Sequence, residues 1–188
     1  SNKTKESLAG RAVELYLTPF SYAEIKQQNP DLTSSIIFGQ YPKIFNTSEN
    51  KIKTKLINDL TNISVIKDII DLKNITTINL LPNLLKYISY QVGSRISLRE
   101  IGEQLEADSR TIGNYIKYLE DAFVVFRLLP LTNNPRNAIK TYGKVFFYDN
   151  GVVNALTRSY DLNPINSGGL LENYVISEVK KITVNDPS

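Results

Sequence analysis

The chain has no cysteine, no histidine and no methionine among its 188 residues. Without cysteine there is no disulfide framework and no thiolate metal site. Without histidine the commonest general base and the commonest zinc ligand are missing, which excludes Ser-His-Asp and Cys-His catalysis. No apolar run approaches the roughly 20 residues that a membrane-spanning helix needs. No secretory signal is visible at the start. A soluble cytoplasmic protein with no membrane partner is expected. The lack of methionine also means that the sequence does not begin at a native start, so a portion of a longer protein is expected.

What is present points to a folded chain. Hydrophobic residues make up 41% of the sequence, enough to bury a core and to argue against wholesale disorder. The net charge is +3, from 22 basic and 19 acidic residues. Such a balance is too mild for nucleic-acid binding by charge alone.

Periodicity divides the chain. "RAVELYLTP", from Arg11 to Pro19, alternates Val13, Leu15 and Leu17 with polar positions and reads as a short strand. It has no strand close to it in sequence. Ser21 and Glu24 form the capping box of a following helix. "IIFGQYPKIFN" carries a Gly-Gln-Tyr-Pro turn, and Glu49 to about Lys73 reads as helical, with Ile52, Leu56 and Leu60 on one stripe and a second short helix around "SVIKDIIDL". "INLLPNLLKYISYQVG" is another helix, its Pro82 placed in the first turn where a missing N–H costs little. Toward the end, "GVVNALTRS" reads as a short helix. "SGGLLENYVISEVKKI" reads as a longer one, amphipathic through Leu170, Leu171, Tyr174, Val175 and Val179.

Between them lies "SLREIGEQLEADSRTIGNYIKYLED", from Ser97 to Asp121. Ser97 and Glu100 make a second capping box, and Leu98, Ile101 and Leu105 form a stripe. Ala107 and Asp108 make a turn, after which Ser109 or Asp108 caps a second helix with Ile112, Tyr115 or Ile116, and Leu119 facing inward. "FVVFRLLPL" and "KVFFYD" follow as two strands, separated by the polar stretch "TNNPRNAIKTYG". Helix, helix, strand, loop, strand is the order of a winged helix-turn-helix. The expected fold class is therefore mainly α with a small β component.

Two uses compete for this unit. As a DNA reader, its second helix would enter a major groove. Arg110, Asn114 and Lys117, spaced i, i+4, i+7, would share one exposed face, and Arg and Asn pair with guanine and adenine edges. Arg136, Lys140 and Lys144 in the wing would hold phosphates of duplex DNA. As a packing or partner-contact module, the same residues are a solvated face. From Ser97 to Arg127 four basic residues stand against six acidic ones, a poor start for phosphate neutralisation. The contact role is favoured. Asp149-Asn150-Gly151 is read as the turn that ends the second strand and starts a helix. The tyrosines, 11 in all, are read as core or rim packing, and Lys51, Lys53 and Lys55 as a solvated helix face.

Five phrases occur in order: "ESLAGRAVELYLTPFSYAEI", "FGQYPKIF", "SLREIGEQLEADSRTIGNYIKYLEDAFVVFRLLP", "KVFFYDNGVVNAL" and "GLLENYVISEVKK". Together they resemble prokaryotic AAA-type ATP-binding proteins with a C-terminal domain of unknown function, over nearly the whole chain. The resemblance implies an ATPase module that comes first, with ATP and magnesium as its cofactors. This sequence holds no G-x-x-x-x-G-K-S/T phosphate loop, so no cofactor is expected in the chain itself. By the resemblance, residues 1–45 are the C-terminal remnant of the ATPase module, with the Arg11 strand the last of its sheet. Residues 46–92 are a helical connector, 93–150 the winged helix, and 151–188 the helical start of a restriction-endonuclease-like region.

The resemblance gives two residues further roles. Arg11 sits where an arginine finger could reach a neighbour's nucleotide, although the Gly-Arg pair also reads as a turn. Glu172 matches the helical acid of the nuclease-like core, whose metal-binding Asp and Glu-x-Lys are missing here. The chain itself is not expected to be an enzyme. The expected function is a regulatory or interaction module coupling nucleotide state to a partner, which is another protein or its own ATPase module. Duplex-DNA binding and a nuclease-linked ATPase are the alternatives.

Overall fold

The computed structural model describes residues 15–61, 66–73, 75, 77–131, 142–163 and 167–184. These residues are mainly helical, with one small antiparallel sheet. In chain order the elements are α1 (Tyr22–Ile25), a 3-10 turn (Lys26–Gln28), α2 (Leu32–Phe38), α3 (Pro42–Phe45), α4 (Asn50–Asp59), α5 (Ile66–Lys73), α6 (Leu80–Tyr90), α7 (Leu98–Leu105) and α8 (Ser109–Asp121). Then come β1 (Val125–Leu128), β2 (Lys144–Phe147), α9 (Asn150–Thr157) and α10 (Ser167–Thr183).

The helix boundaries follow the local signals. The Glu24 carboxylate accepts from the Ser21 N–H at 2.7 Å and closes the first capping box. The helix it starts is a single turn, which ends after the 3-10 turn at Asn29, with φ 49°, followed by Pro30. Asp31 caps α2 by accepting from the Thr33 N–H at 3.0 Å. Pro82 lies in the first turn of α6, as expected.

The core is continuous from Ile36 to Tyr174. Ile57 of α4, Leu81, Leu84, Leu85 and Ile88 of α6, Ile101 of α7, Ile112, Ile116 and Leu119 of α8, Val125 of β1 and Val145 and Phe147 of β2 are wholly enclosed. Helix α9 lies at its centre, packing against α2, α4, α6 and α10. Its position explains why it is buried on nearly every side, from Asn150 to Ala155. The two strands pair in the register Val125↔Phe147 to Leu128↔Lys144. A smaller cluster of Phe126, Phe146 and Tyr148, with Phe123 and Ile176 against it, fills the opposite side of the sheet.

Several expectations need correction. Residues 15–18 of the anticipated Arg11–Pro19 strand take no strand pairing, and Leu15 and Leu17 are exposed. Among the described residues no strand lies beside them to supply a partner; Arg11 lies outside the described residues. The helical run of 49–73 holds α4 and then α5, which is the second short helix expected around "SVIKDIIDL", but the stripe on α4 differs. On α4 it is Ile57 that is buried, while Leu56 and Leu60 are half-buried and Ile52 is exposed, because the helix turns Ile57 toward the core. In α10, Leu170 and Tyr174 face inward as expected. Leu171, Val175 and Val179 face solvent instead, and the rest of the inner face is Asn173, Ser177 and Lys181.

Candidate functional site

The helix pair α7–α8 is assembled from its caps. The Ser97 hydroxyl accepts from the Glu100 N–H at 3.3 Å, and the Asp108 carboxylate accepts from the Thr111 N–H at 2.8 Å. Hydrogen bonds from the Thr111 hydroxyl and then the Thr111 N–H hold the Asp108 carboxyl below its ordinary value. Between the helices Glu106 takes the left-handed conformation at φ 52°. The turn folds back so closely that a Cβ on Gly102 would lie 2.5 Å from the Ala107 carbonyl oxygen. Only glycine allows that approach.

With Ile112, Tyr115, Ile116 and Leu119 turned inward, α8 presents Arg110, Asn114 and Lys117 together on its exposed face. Among the described residues, neither Arg110 nor Lys117 has an ion-pair partner. Neighbouring charges are already engaged: Arg99 with Glu103 at 2.9 Å, Lys73 with Asp121 at 3.4 Å, and Arg127 with both oxygens of Glu120 at 2.8 and 2.9 Å. Glu120 raises the Arg127 guanidinium above its ordinary value, and the guanidinium lies 4.4 Å from the Tyr142 ring centre. The Tyr142 hydroxyl donates to the Gly113 carbonyl at 3.4 Å. The sheet is thus pinned to α8 from behind, and its outward face stays open.

The remaining sequence-predicted residues separate. Arg136 and Lys140 lie outside the described residues, as does Arg11. Lys144 starts β2 and is bound to Glu172 of α10 at 3.0 Å, both half-exposed. Two residues expected to serve separate roles therefore meet each other. Among the described residues no group of three acids is placed to hold a metal. The sequence holds no phosphate-binding loop of the G-x-x-x-x-G-K-S/T kind.

A second polar constellation was not read from the sequence. Asp149, at the end of β2, is buried; it accepts from the Gln40 N–H at 2.7 Å and the Gly151 N–H at 2.8 Å. Burial pushes its carboxyl up, opposed by the charge of Lys181 and by backbone hydrogen bonds. Lys181 is buried too and donates to the Phe20 carbonyl at 3.0 Å, Gln40 Oε1 at 2.9 Å and Glu178 Oε1 at 2.9 Å. Glu178 also accepts from the Tyr22 N–H. Asn173 pairs with both backbone groups of Phe147, at 2.8 and 3.1 Å, and donates to Asn150 Oδ1 at 2.7 Å. Asn154 donates to the Ile36 and Ile37 carbonyls. Gly39, at φ 81°, lies where a Cβ would overlap the Asp149 carboxylate.

This seam joins three of the phrases on which the resemblance rests, "FGQYP", "FYDN" and "ENYVISEVKK". The signal available in sequence was polar residues set inside apolar runs. Desolvation also raises the Tyr41 and Tyr174 hydroxyls beside the seam. Nearby, a cavity of about 400 Å³ opens between α6, α9 and the start of α10. Val92, Val153 and Leu170 are among its lining residues, and among the described residues no charged side chain lines it.

A mainly helical chain with a small antiparallel sheet is thus tied together by a buried polar seam. Residues 29–163 match a domain of unknown function, DUF8612, and the chain belongs to that family. It is 25% identical over 160 residues to an uncharacterized protein of Haemophilus influenzae, covering 77% of this chain and 40% of that protein. It is 26% identical over 208 residues to the uncharacterized protein MJ1544 of Methanocaldococcus jannaschii, covering 96% of this chain and 44% of that protein. The chain spans less than half the length of these curated relatives. No solved structure matches it.

Proposed function

We propose that the chain is the regulatory and interaction module of an AAA-type ATP-binding protein. In this reading residues 93–150 form a winged helix that couples nucleotide state to a partner. One observation carries the reading: a continuous chain of contacts runs from α8 to the segment before α1. Arg127 of β1 grips Glu120 of α8, β1 pairs with β2, Phe147 of β2 bonds Asn173 of α10, and Lys181 of α10 holds the Phe20 carbonyl. By the resemblance, that last segment lies within residues 1–45, the C-terminal remnant of the ATPase module. A bonded path of this kind is a physical means by which a displacement at one site would reach another. The net-acidic character of residues 97–127 favours a protein over a nucleic acid at α8.

The test is a titration of this chain against the separately produced ATP-binding portion of the same protein, with ATP and with ADP. Binding that differs between the two nucleotides supports the coupling. Equal binding, or none, refutes it.

A second reading is kept by the exposed, ion-pair-free Arg110 and Lys117 with Asn114 between them. In it the module grips duplex DNA through α8, helped by Arg136 and Lys140. Fluorescence anisotropy with labelled duplex at low and moderate salt tests this. Salt-weakened binding that Arg110→Ala with Lys117→Ala abolishes would establish it; no binding at low salt would end it. The nuclease-linked alternative rests on Glu172 alone. It needs a downstream Asp and Glu-x-Lys in the complete protein.

A further inference from the structure

Helix α9 carries an asparagine that is only half used. Asn154 is 1% exposed, and its Nδ2 donates to the Ile36 and Ile37 carbonyls at 3.2 and 2.7 Å. Among the described residues no donor reaches its Oδ1. Among the same residues the one sealed side-chain atom without a partner is Thr61 Oγ1, so the Asn154 oxygen opens on a space. The space that Asn154 lines is the cavity of about 400 Å³ between α6, α9 and the start of α10. Its nitrogen is spent on α2, and its oxygen is left for whatever enters that cavity.

Two further polar groups of the wall share the same bias. The Ser89 hydroxyl donates to the Lys86 carbonyl at 2.7 Å, and the Thr157 hydroxyl donates to the Val153 carbonyl at 3.0 Å. A hydroxyl has one hydrogen, so both keep only lone pairs for the cavity. With Asn154 Oδ1, these make three side-chain oxygens that accept and do not donate. Val92, Val153 and Leu170 supply apolar surface beside them, and among the described residues no charged side chain lines the wall. Such a wall selects its occupant. A cation would lose its water with no carboxylate to replace it, and an anion would meet lone pairs alone. A plain hydrocarbon would leave the oxygens unpaired. A neutral apolar frame bearing N–H or O–H donors satisfies both parts of the wall. Benzene fits an apolar cavity of about 150 Å³, so this one has room for a ring together with its polar group.

We infer that this cavity is a binding site for a small uncharged ligand with an apolar ring and hydrogen-bond donors, such as an amide or a phenol, held by Asn154, Ser89 and Thr157. This goes beyond the coupling function and concerns a different place from α8. The ligand touches α6, α9 and α10 at once, and through Asn154 it meets the residue that also holds the α2 carbonyls. Gly169 stands in the same wall. A Cβ there would meet Val92 Cγ1 at 3.4 Å, which is ordinary contact, so a longer side chain at this position takes the ligand's space without pushing on the backbone.

Two neutral probes, benzamide and phenol, test the inference beside their donor-free twins, N,N-dimethylbenzamide and anisole. Each is titrated into the whole 188-residue chain while the backbone amides are followed by NMR. Benzamide and phenol should give saturable shifts at Val92, Val153, Asn154 and Leu170. The twins should bind about five- to tenfold more weakly, the worth of one hydrogen bond. Ser89→Ala with Thr157→Val removes two acceptors at nearly constant volume. It should weaken the donor-bearing probes and leave the twins unchanged, a split that altered packing alone would not produce. Gly169→Leu should abolish binding of all four with the helical circular-dichroism spectrum retained; if that variant misfolds, the Ser89 and Thr157 pair still decides. No saturable shift with either donor-bearing probe overturns the inference. So do shifts that map away from the cavity, equal binding by probes and twins, or donor-bearing probes that Ser89→Ala with Thr157→Val leaves unaffected.

Discussion

The seam around Asp149 and the outer face of α8 carry similar residue types, a lysine, an asparagine and further polar groups in each, yet the chain treats them in opposite ways. In the seam each named side chain is enclosed and bonded: Lys181 has three acceptors, and Asn173 has the Phe147 backbone and Asn150. On α8, Arg110, Asn114 and Lys117 stand in solvent. A buried polar group without a partner costs about 1–3 kcal/mol, and more when charged. The seam is therefore held together by necessity. The α8 face has no such constraint and is available to a partner. The difference separates polar residues that build the fold from polar residues that can serve it.

The contrast can be broken most sharply at Lys181. Lys181→Ala strips the cation from Asp149 and Glu178 and takes the donor from the Phe20 carbonyl and from Gln40 Oε1. A loss of about 3–5 kcal/mol is expected, as for removing one partner of a buried charge pair. Urea unfolding measures it, and a loss near zero would mean that the seam is not sealed. Asn173→Ala should follow with about 2–3 kcal/mol, because it orphans the buried N–H and carbonyl of Phe147. Gly102→Ala should cost about 1–3 kcal/mol by forcing α7 away from the Ala107 carbonyl; thermal unfolding reads this directly.

Asp149 gives the comparison a pH dependence. Burial raises its carboxyl above the ordinary 3.8, so the folded state favours the protonated form. Its contribution to stability is full below that ordinary value and is lost as pH rises through the folded-state value. Asp149→Asn cannot titrate. The stability of the native chain relative to this variant should fall from acidic toward neutral pH, and melting curves across that range would expose the opposite slope. The smallest effect belongs to α8. Arg110→Ala with Lys117→Ala should change stability by no more than about 0.5 kcal/mol, as usual for exposed positions. A larger loss in a melting experiment would show that this face is structural after all.

What was legible in the sequence follows the same division. The α7–α8 pair could be read closely, because Ser97, Asp108 and the inward residues Ile101, Ile112, Ile116 and Leu119 act through local spacing. The paired strands could be read from their β-branched and aromatic runs. The orientation of α10 could not. Its apolar residues suggested an inner face through Leu170, Leu171, Tyr174, Val175 and Val179, of which only Leu170 and Tyr174 are buried, because the backbone of Phe147, 26 residues away, asks for Asn173. The seam was hidden for a related reason. Asp149, Gln40 and Lys181 look like surface residues until the long-range fold encloses them together. Of the candidate site, the shared exposure of Arg110, Asn114 and Lys117 was legible from helical spacing, while the pairing of Lys144 with Glu172 depended on where α10 lies.

The bond from Lys181 to the Phe20 carbonyl links residues 161 apart. Such a closure carries an entropic cost that rises with the length of chain enclosed, whereas the α7–α8 turn and its hydrogen bonds enclose only a few residues. Contacts this distant form late in folding. Until they do, Lys181 and Asp149 keep their water and both charges are cheap to hold. The seam thus acts as a final latch: the chain gives up that hydration only once the helices it joins are already in place.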